Sequence, residues 1–537
     1  MNIANQSLES NIECKLQLVT SEIEHLKSLN EDSEKLSDKL FVIITTLLEI
    51  NDSEYDGFVL EDYLRMISTD NITIFYGLFK GCDALKNLEA LSNWNVSNGT
   101  NFILMFDFNT SIKNLQALSN WDVSKGIDFS WMFSMCEALE SLKGLSHWNV
   151  SNGNGFKGMF SKCESLENLE GLEHWDVSNG TDFNEMFRDC KLLNDISELS
   201  NWNVSNGTDF AFMFNTCSHL KTIEALSKWD VSNGVNFSYM FLSCEALESL
   251  EGLDNWNVSN GTDFSYMFDK CESLTDLSQL FHWNVSNVND FAFMFSHCCS
   301  LENLEGLSNW NITNGTYFSF MFCKCESLKN LKGLSNWNVS NVTIFDSMFA
   351  GCKSLKNLKG LDNWNVSNAT IFSFMFDVCY SLETLEGLEN WNVSNAEDIS
   401  NMFSECKSLN NISALYNWNV SNCLEMPEMF SGCDSLKDIS GLSNWNVSNC
   451  KDFHGMFNYC KSLKELSPLA NWDVSNGENF KGMFRECNLI RDISPLVNWT
   501  VPKDFDVKDM FCSDYSKLPK NITEEQIEWL NKNIKRQ

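Results

Sequence analysis

The sequence is poor in positive charge, in proline and in long hydrophobic runs. Its 537 residues carry 38 Lys and Arg against 73 Asp and Glu, a formal charge of -35. That is the wrong sign for a counterion-releasing grip on a phosphate backbone, so a general nucleic-acid binder is excluded. No segment reaches the ~18 uninterrupted apolar residues that a transmembrane helix needs. The longest apolar stretch, Leu40 to Leu48, is broken by Thr45 and Thr46. The opening residues, Met1-Asn2-Ile3-Ala4-Asn5-Gln6, have neither a basic n-region nor an apolar h-region. No secretory signal is therefore expected, which on its own favours a cytoplasmic location.

Signatures of catalysis are missing too. There is no phosphate-cradling G-x-x-x-x-G-K-[ST] or G-x-G-x-x-G loop, and the seven His follow no H-E-x-x-H pattern. No enzymatic activity, cofactor or metal site is expected.

What is present is heavily skewed: 18 Trp, 40 Phe, 20 Met and 21 Cys against only 5 Pro. Such an inventory suggests one unit copied many times. Sixteen of the Trp lie 27 residues apart without exception, from Trp94 through Trp256 and Trp418 to Trp499. A Met-Phe pair keeps the same step from Met105-Phe106 to Met510-Phe511. A fixed period of this length marks a repeat array, and copies free of insertions favour a solenoid, in which each coil stacks on the last.

One unit, read from Leu85, has apolar columns at Leu85, Leu88, Leu91, Trp94, Val96, Phe102, Met105 and Phe106, and in most other units a Cys such as Cys136. These columns should stack as ladders, of which Trp94, Trp256 and Trp418, Cys136, Cys271 and Cys433, and Asn98 and Asn260 are examples. A lone coil should not fold, because neighbours must cover both of its open faces. Leu85–Leu91 is predicted as the main strand, Trp94–Val96 as a possible second, and Ser97–Thr100 as a turn. Phe102, Met105 and Phe106 sit at i, i+3 and i+4, which predicts a short helical turn from Thr100 to about Asn109.

Fifteen cysteines share one column: Cys82, then every 27th residue from Cys136 to Cys487, with Asn109 the lone gap. Cysteine packs well as a small hydrophobe, so a reduced core ladder is expected. Cys299 and Cys323, beside His297, Cys298 and Cys325, leave a local metal or redox site as an alternative. The C-C and C-x-C spacings do not match a zinc knuckle.

The string Trp337-Asn338-Val339-Ser340-Asn341-Val342-Thr343, followed by Met348-Phe349-Ala350-Gly351-Cys352-Lys353-Ser354-Leu355, resembles the BspA-like leucine-rich-repeat surface-protein family. The resemblance covers about residues 72–512. It implies an α/β repeat fold, a leucine-rich-repeat-like right-handed solenoid, here of about 16 coils. By association it also implies adhesive or protein-binding roles at a cell surface.

Three segments follow. Residues 1–70 lack the repeat and read as two amphipathic helices, one with Ile12, Leu16, Val19, Ile23 and Leu26, the other with Leu36, Leu40, Ile43, Ile44 and Leu47. They form a cap or an oligomerisation segment. Residues 71–502 form the solenoid. Residues 503–537 form a second cap, whose Thr523-Glu524-Glu525-Gln526 fits a capping box ahead of Ile527, Leu530 and Ile534. The expected function is a non-enzymatic scaffold for protein partners, with self-assembly through the N-terminal helices as the alternative. Lys324, Lys329, Lys332, Lys353, Lys356 and Lys359 gather in neighbouring units and are candidates for a basic docking patch.

Overall fold

A computed structural model of the chain describes residues 2–28, 33–53, 58–505, 507–512, 518 and 520–536. They fall into two compact units, Met1–Leu247 with Glu251–Asn260, and Glu248–Leu250 with Gly261–Gln537.

In the first unit the amphipathic stripes form helices. α1 (Asn2–Ser28) buries Ile12, Val19, Ile23 and Leu26 and leaves Leu16 half-buried. α2 (Ser33–Asp52) buries Leu36, Leu40, Ile43, Ile44 and Leu47. Lys15 of α1 pairs with Glu49 of α2 at 3.1 Å, and Ser37 Oγ of α2 accepts from the Ile74 amide at 3.2 Å. α3 (Leu60–Met66) offers its Leu64 carbonyl to the Trp94 indole N–H at 3.0 Å.

The coils of both units repeat one construction. The Phe102 amide donates to Asp128 O at 2.9 Å, Leu104 to Ser130 O at 3.0 Å, Phe106 to Met132 O at 2.9 Å and Phe108 to Ser134 O at 2.9 Å. Alternate residues reaching the next coil is the arithmetic of a parallel β ladder. Between those bonds the chain turns back on itself, Met105 N donating to Phe102 O at 3.2 Å and Asp107 N to Leu104 O at 3.1 Å. Leu104 and Phe108 stand at φ +58° and +65°, the left-handed third position of a type II turn. The segment predicted as a helical turn is thus a chain of linked β-turns. The i, i+3, i+4 spacing does place Phe102, Met105 and Phe106 inside, but turns rather than a helix achieve it.

The predicted strands also need correction. Leu85–Leu91 holds the 3-10 turn Glu89–Leu91, and its column in other coils forms only isolated parallel bridges such as Asn114↔Ser141 and Asn411↔Asp438. A more continuous bridge column follows the Ser-Asn turn. It runs from Ile74↔Asn101 to Asp209↔Asn236 in the first unit and from Asp263↔Asp290 to Asp452↔Asn479 in the second. Residues 67–499 hold β-turns, 3-10 turns and single bridges, with neither α-helix nor extended strand. The physical reason is the short coil. Backbone groups find their partners either within the same turn or about one period away, so no segment has to run straight for long.

Inside, identical side chains stack. Trp121 and Trp148 lie 6.3 Å apart and 5° from parallel, and Trp283 and Trp310 lie 6.4 Å apart. Each buried indole N–H must be satisfied; Trp121 Nε1 donates to Leu91 O at 3.0 Å and Trp418 Nε1 to Leu388 O at 3.2 Å. Phe102 and Phe129 stack at 5.4 Å. Aromatic pairs contribute roughly 0.5–1.5 kcal/mol beyond their burial, so stability accrues with every neighbour added.

Space beneath that Phe column is tight. A Cβ on Gly207 would stand 2.4 Å from Phe210 Cζ. Where Ala396 or Cys423 occupies the glycine column the Phe gives way to Ile399 or Met426, while Ala369 and Cys450 keep Phe372 and Phe453, all eight fully buried. With Val288 there, Phe291 meets Phe264 edge-on at 84° rather than stacking.

In the second unit β1 (Thr500–Val501) pairs in parallel with β2 (Lys535–Arg536). The short helix α4 (Lys508–Phe511) buries Met510 and Phe511. α5 (Glu524–Asn533) starts at the expected capping box, Thr523 and Gln526 each holding the other's amide, and buries Ile527 and Leu530. Ile534 is buried just beyond it.

Candidate binding surface

The cysteine ladder is built into the backbone. Cys136 Sγ donates to Phe106 O at 3.4 Å and Cys433 Sγ to Phe403 O at 3.2 Å, the acceptor in each case lying one coil earlier. Cys271 occupies the same buried column. Burial pushes the Cys136 thiol up to about 12 and the Cys163 and Cys298 thiols well above their ordinary value. At neutral pH these sulfurs are thiols, poor nucleophiles and poor ligands. No two of the 21 cysteines are joined in a disulfide. At the alternative site Cys323 is buried, and His297 Nδ1 faces Ser296 Oγ at 2.8 Å and Asp269 at 3.3 Å. Among the described residues no three His, Cys, Asp or Glu stand grouped to hold a metal ion.

The asparagine ladder also serves the backbone: Asn98 Nδ2 donates to Asp70 O at 2.7 Å and Asn260 Nδ2 to Ser232 O at 2.7 Å. Trp94, Trp256 and Trp418 are buried.

The six candidate lysines do not share one environment. Lys329 pairs with Glu302 at 2.8 Å, Lys353 with Glu326 at 2.6 Å and Lys359 with Glu386 at 2.8 Å, each across one period. Lys332 borders an open hollow of about 530 Å³ with Asp276, Asn303 and Glu305. Lys324 and Lys353 meet at a different cavity of about 350 Å³, which Phe320 and Phe374 also line. Lys356 is exposed.

That second cavity belongs to a feature the sequence reading missed. The residue just before each Met-Phe pair is Trp131, Phe212, Tyr239, Tyr266, Phe293, Phe320 or Phe374 in seven coils. All seven sit at left-handed φ, between +56° and +60°, and all are half-buried or exposed. Phe212 and Tyr239 stack at 4.3 Å, Tyr266 and Phe293 at 4.4 Å, and Phe293 and Phe320 at 4.5 Å. The Arg188 guanidinium lies 5.4 Å over the Phe212 ring. The signal was the same 27-residue step, hidden because this column varies from coil to coil.

Stacked short coils with ladders inside and variable columns outside define a tandem-repeat protein built as a solenoid. The chain belongs to the family described as "Mycoplasma protein of unknown function, DUF285", whose profile matches residues 55–169, 155–276, 246–356, 327–440 and 410–524. No curated protein matches. Among solved structures, a leucine-rich cell surface protein from Faecalibacterium prausnitzii is similar at 18% identity over 58% of this chain and 75% of that one, with a TM-score of 0.29.

Proposed function

We propose that the chain is a non-enzymatic protein-binding scaffold whose coils follow the leucine-rich-repeat plan, right-handed, with α1–α3 and α5 acting as caps. One observation carries this reading: flat rings stacked 4.3–4.5 Å apart on the outside of the coils. Ring faces and edges left in water are costly for a monomer and are the residues that interfaces favour. Lys324, Lys332 and Lys356 would add positive charge that steers an acidic partner.

A triple variant, Phe212→Ala, Phe293→Ala and Phe374→Ala, compared with the wild type by in-cell cross-linking, tests the scaffold. Loss of a partner that the wild type captures supports it; equal capture by both places binding elsewhere. The BspA-like resemblance would further put the protein at a cell surface, which protease shaving of intact cells tests. Full protection removes that part of the reading.

A second reading rests on Leu18, Phe41 and Val42, which lie 60%, 44% and 62% exposed on α1 and α2. Self-association through these helices would cover them. Light scattering of the wild type against Leu18→Lys with Val42→Lys decides it, and a monomer in both samples ends it.

A further inference from the structure

One coil interrupts the outer stack. Where its neighbours on either side carry Phe320 and Phe374, this coil carries Ser347, and three and four residues on it carries Ala350 and Gly351 against Cys323 and Lys324 before and Asp377 and Val378 after. Three small residues in one coil open a cavity of about 350 Å³, lined by these residues and flanked by Phe320 and Phe374. The interior is not thinned: Phe349 still stacks between Phe322 at 5.6 Å and Phe376 at 5.6 Å. The gap is confined to the outer surface.

Its width follows from the period. Two coil steps of about 4.8 Å separate Phe320 from Phe374 by roughly 9–10 Å, while the intact part of the stack spaces its rings at 4.4 and 4.5 Å. The slot is therefore one ring thick. We propose that it takes the planar aromatic side chain of a protein partner, which completes the run Tyr266–Phe293–Phe320 and hands it on to Phe374.

Two observations favour a tethered ring over a free aromatic molecule. The slot is open at its rim, Phe374 being 40% exposed above a buried Ser347, whereas sites for free small molecules enclose most of their ligand. It also continues a stripe of half-buried rings, Tyr266, Phe293 and Phe320, so a larger partner gains contacts beyond the slot. Lys324, exposed and in no ion pair among the described residues, lines the slot together with Asp377 and the Lys353–Glu326 pair, and can meet an acidic group beside the incoming ring. The inference rests on the scaffold reading but can fail separately from it.

The backbone allows a clean block. Ser347 already stands at φ +54°, close to the +60° of Phe320 and the +56° of Phe374, so Ser347→Phe can fill the slot with the ring its neighbours carry. The probes are 5-fluoroindole and the capped peptide acetyl-Gly-(5-fluoro-Trp)-Glu-amide, read by fluorine NMR line broadening on the full chain. The expected result is that the wild type broadens both, Ser347→Phe loses at least tenfold in affinity, and thermal unfolding shows that variant still folded. Phe374→Ala, which removes one wall, should weaken both probes roughly three- to tenfold, as the loss of one stacking partner requires. It also serves as the test if Ser347→Phe does not fold. Broadening of neither probe, equal broadening by wild type and variants, or binding of free fluoroindole alone would each overturn the proposal. Because these probes report on the slot alone, a silent slot beside intact partner capture removes this inference and leaves the scaffold standing. A wild type that captures no partner although its slot binds both probes does the reverse.

Discussion

Asn109 donates its side-chain amide to Phe79 O at 2.7 Å, at the position from which Cys136 reaches Phe106 O at 3.4 Å one coil later. The lone gap in the cysteine column is therefore a replacement of one donor by another. It is an imperfect one, because Asn109 Oδ1 is buried without a partner. An orphaned buried acceptor costs about 1–3 kcal/mol. Asn109→Cys should raise stability by about 1 kcal/mol in urea unfolding. Asn109→Leu should lower it by taking the amide donor from the carbonyls of Phe79 and Phe106.

Thiol chemistry should separate the cysteines sharply. Cys14 is exposed and Cys299 half-buried, whereas the ladder is sealed and its thiols are held protonated by burial. At pH 8 the native protein should react with Ellman's reagent at Cys14 quickly, at Cys299 slowly and at the ladder hardly at all. In denaturant all 21 should titrate. Fast native labelling of Cys136 or Cys433 would contradict the packing described.

The glycine and phenylalanine columns predict a compensated pair. Gly207→Ala brings a Cβ within 2.4 Å of Phe210 Cζ; since Ala369 with Phe372 shows that the ring can shift aside, the cost should sit near the lower end of the about 1–3 kcal/mol typical of overpacking. Phe210→Met in the same chain should recover most of that loss, as Cys423 with Met426 already does elsewhere. A double-mutant cycle reads the coupling directly, and simple additivity would refute it.

Val378 is a β-branched residue at φ +58°, in the column where another coil places Gly351. The left-handed conformation costs an L-residue about 1–2 kcal/mol, and glycine gives back about 0.5–1 kcal/mol through its freer unfolded chain. Val378→Gly should therefore stabilise the protein by roughly 0.5–1 kcal/mol, a gain that denaturant titration can resolve.

Burial raises the Asp377 carboxyl from 3.8 to about 6, with Glu405 and Glu428 adding to the rise. The sign is that of a penalty. Below pH 3.8 the residue is protonated in both the folded and unfolded states and contributes nothing. As pH rises toward 6 the unfolded chain ionises more easily, and stability falls until the folded carboxyl has ionised too. Asp377→Asn should stabilise the protein at pH 7 by about 1–2 kcal/mol, a figure reduced for the water that still reaches the group. The advantage should vanish by about pH 4. A gain that persists unchanged at pH 4 would point to another cause.

Much of the fold was legible because burial repeats. Trp94, Phe102, Met105, Phe106 and Cys136 were read as interior from their period alone, and all are buried. The backbone that buries them was not legible. Phe102, Met105 and Phe106 share one spacing in a helical turn and in linked β-turns, and only the bonds to Asp128 and Met132 in the next coil separate the two. The outer rings escaped for the opposite reason. Phe293 and Phe320 occupy a column that other coils fill with Gly158, Glu185 or Asn401, so no consensus marks it, and its meaning lies in which neighbours happen to match. Ser347 is intelligible only as a ring withheld.

The bonds that run from Phe102 to Asp128 and from Leu104 to Ser130 give each coil the same two edges. Excising one whole 27-residue unit, or duplicating one, therefore rejoins edges that already fit, whereas a single inserted codon leaves one coil of 28 residues that no longer matches its neighbours position for position. The length of the stack is thus a variable that recombination between copies within the gene can change in whole steps. What such an exchange would alter on the outside is the order of the rings, and with it where a gap like the one at Ser347 falls.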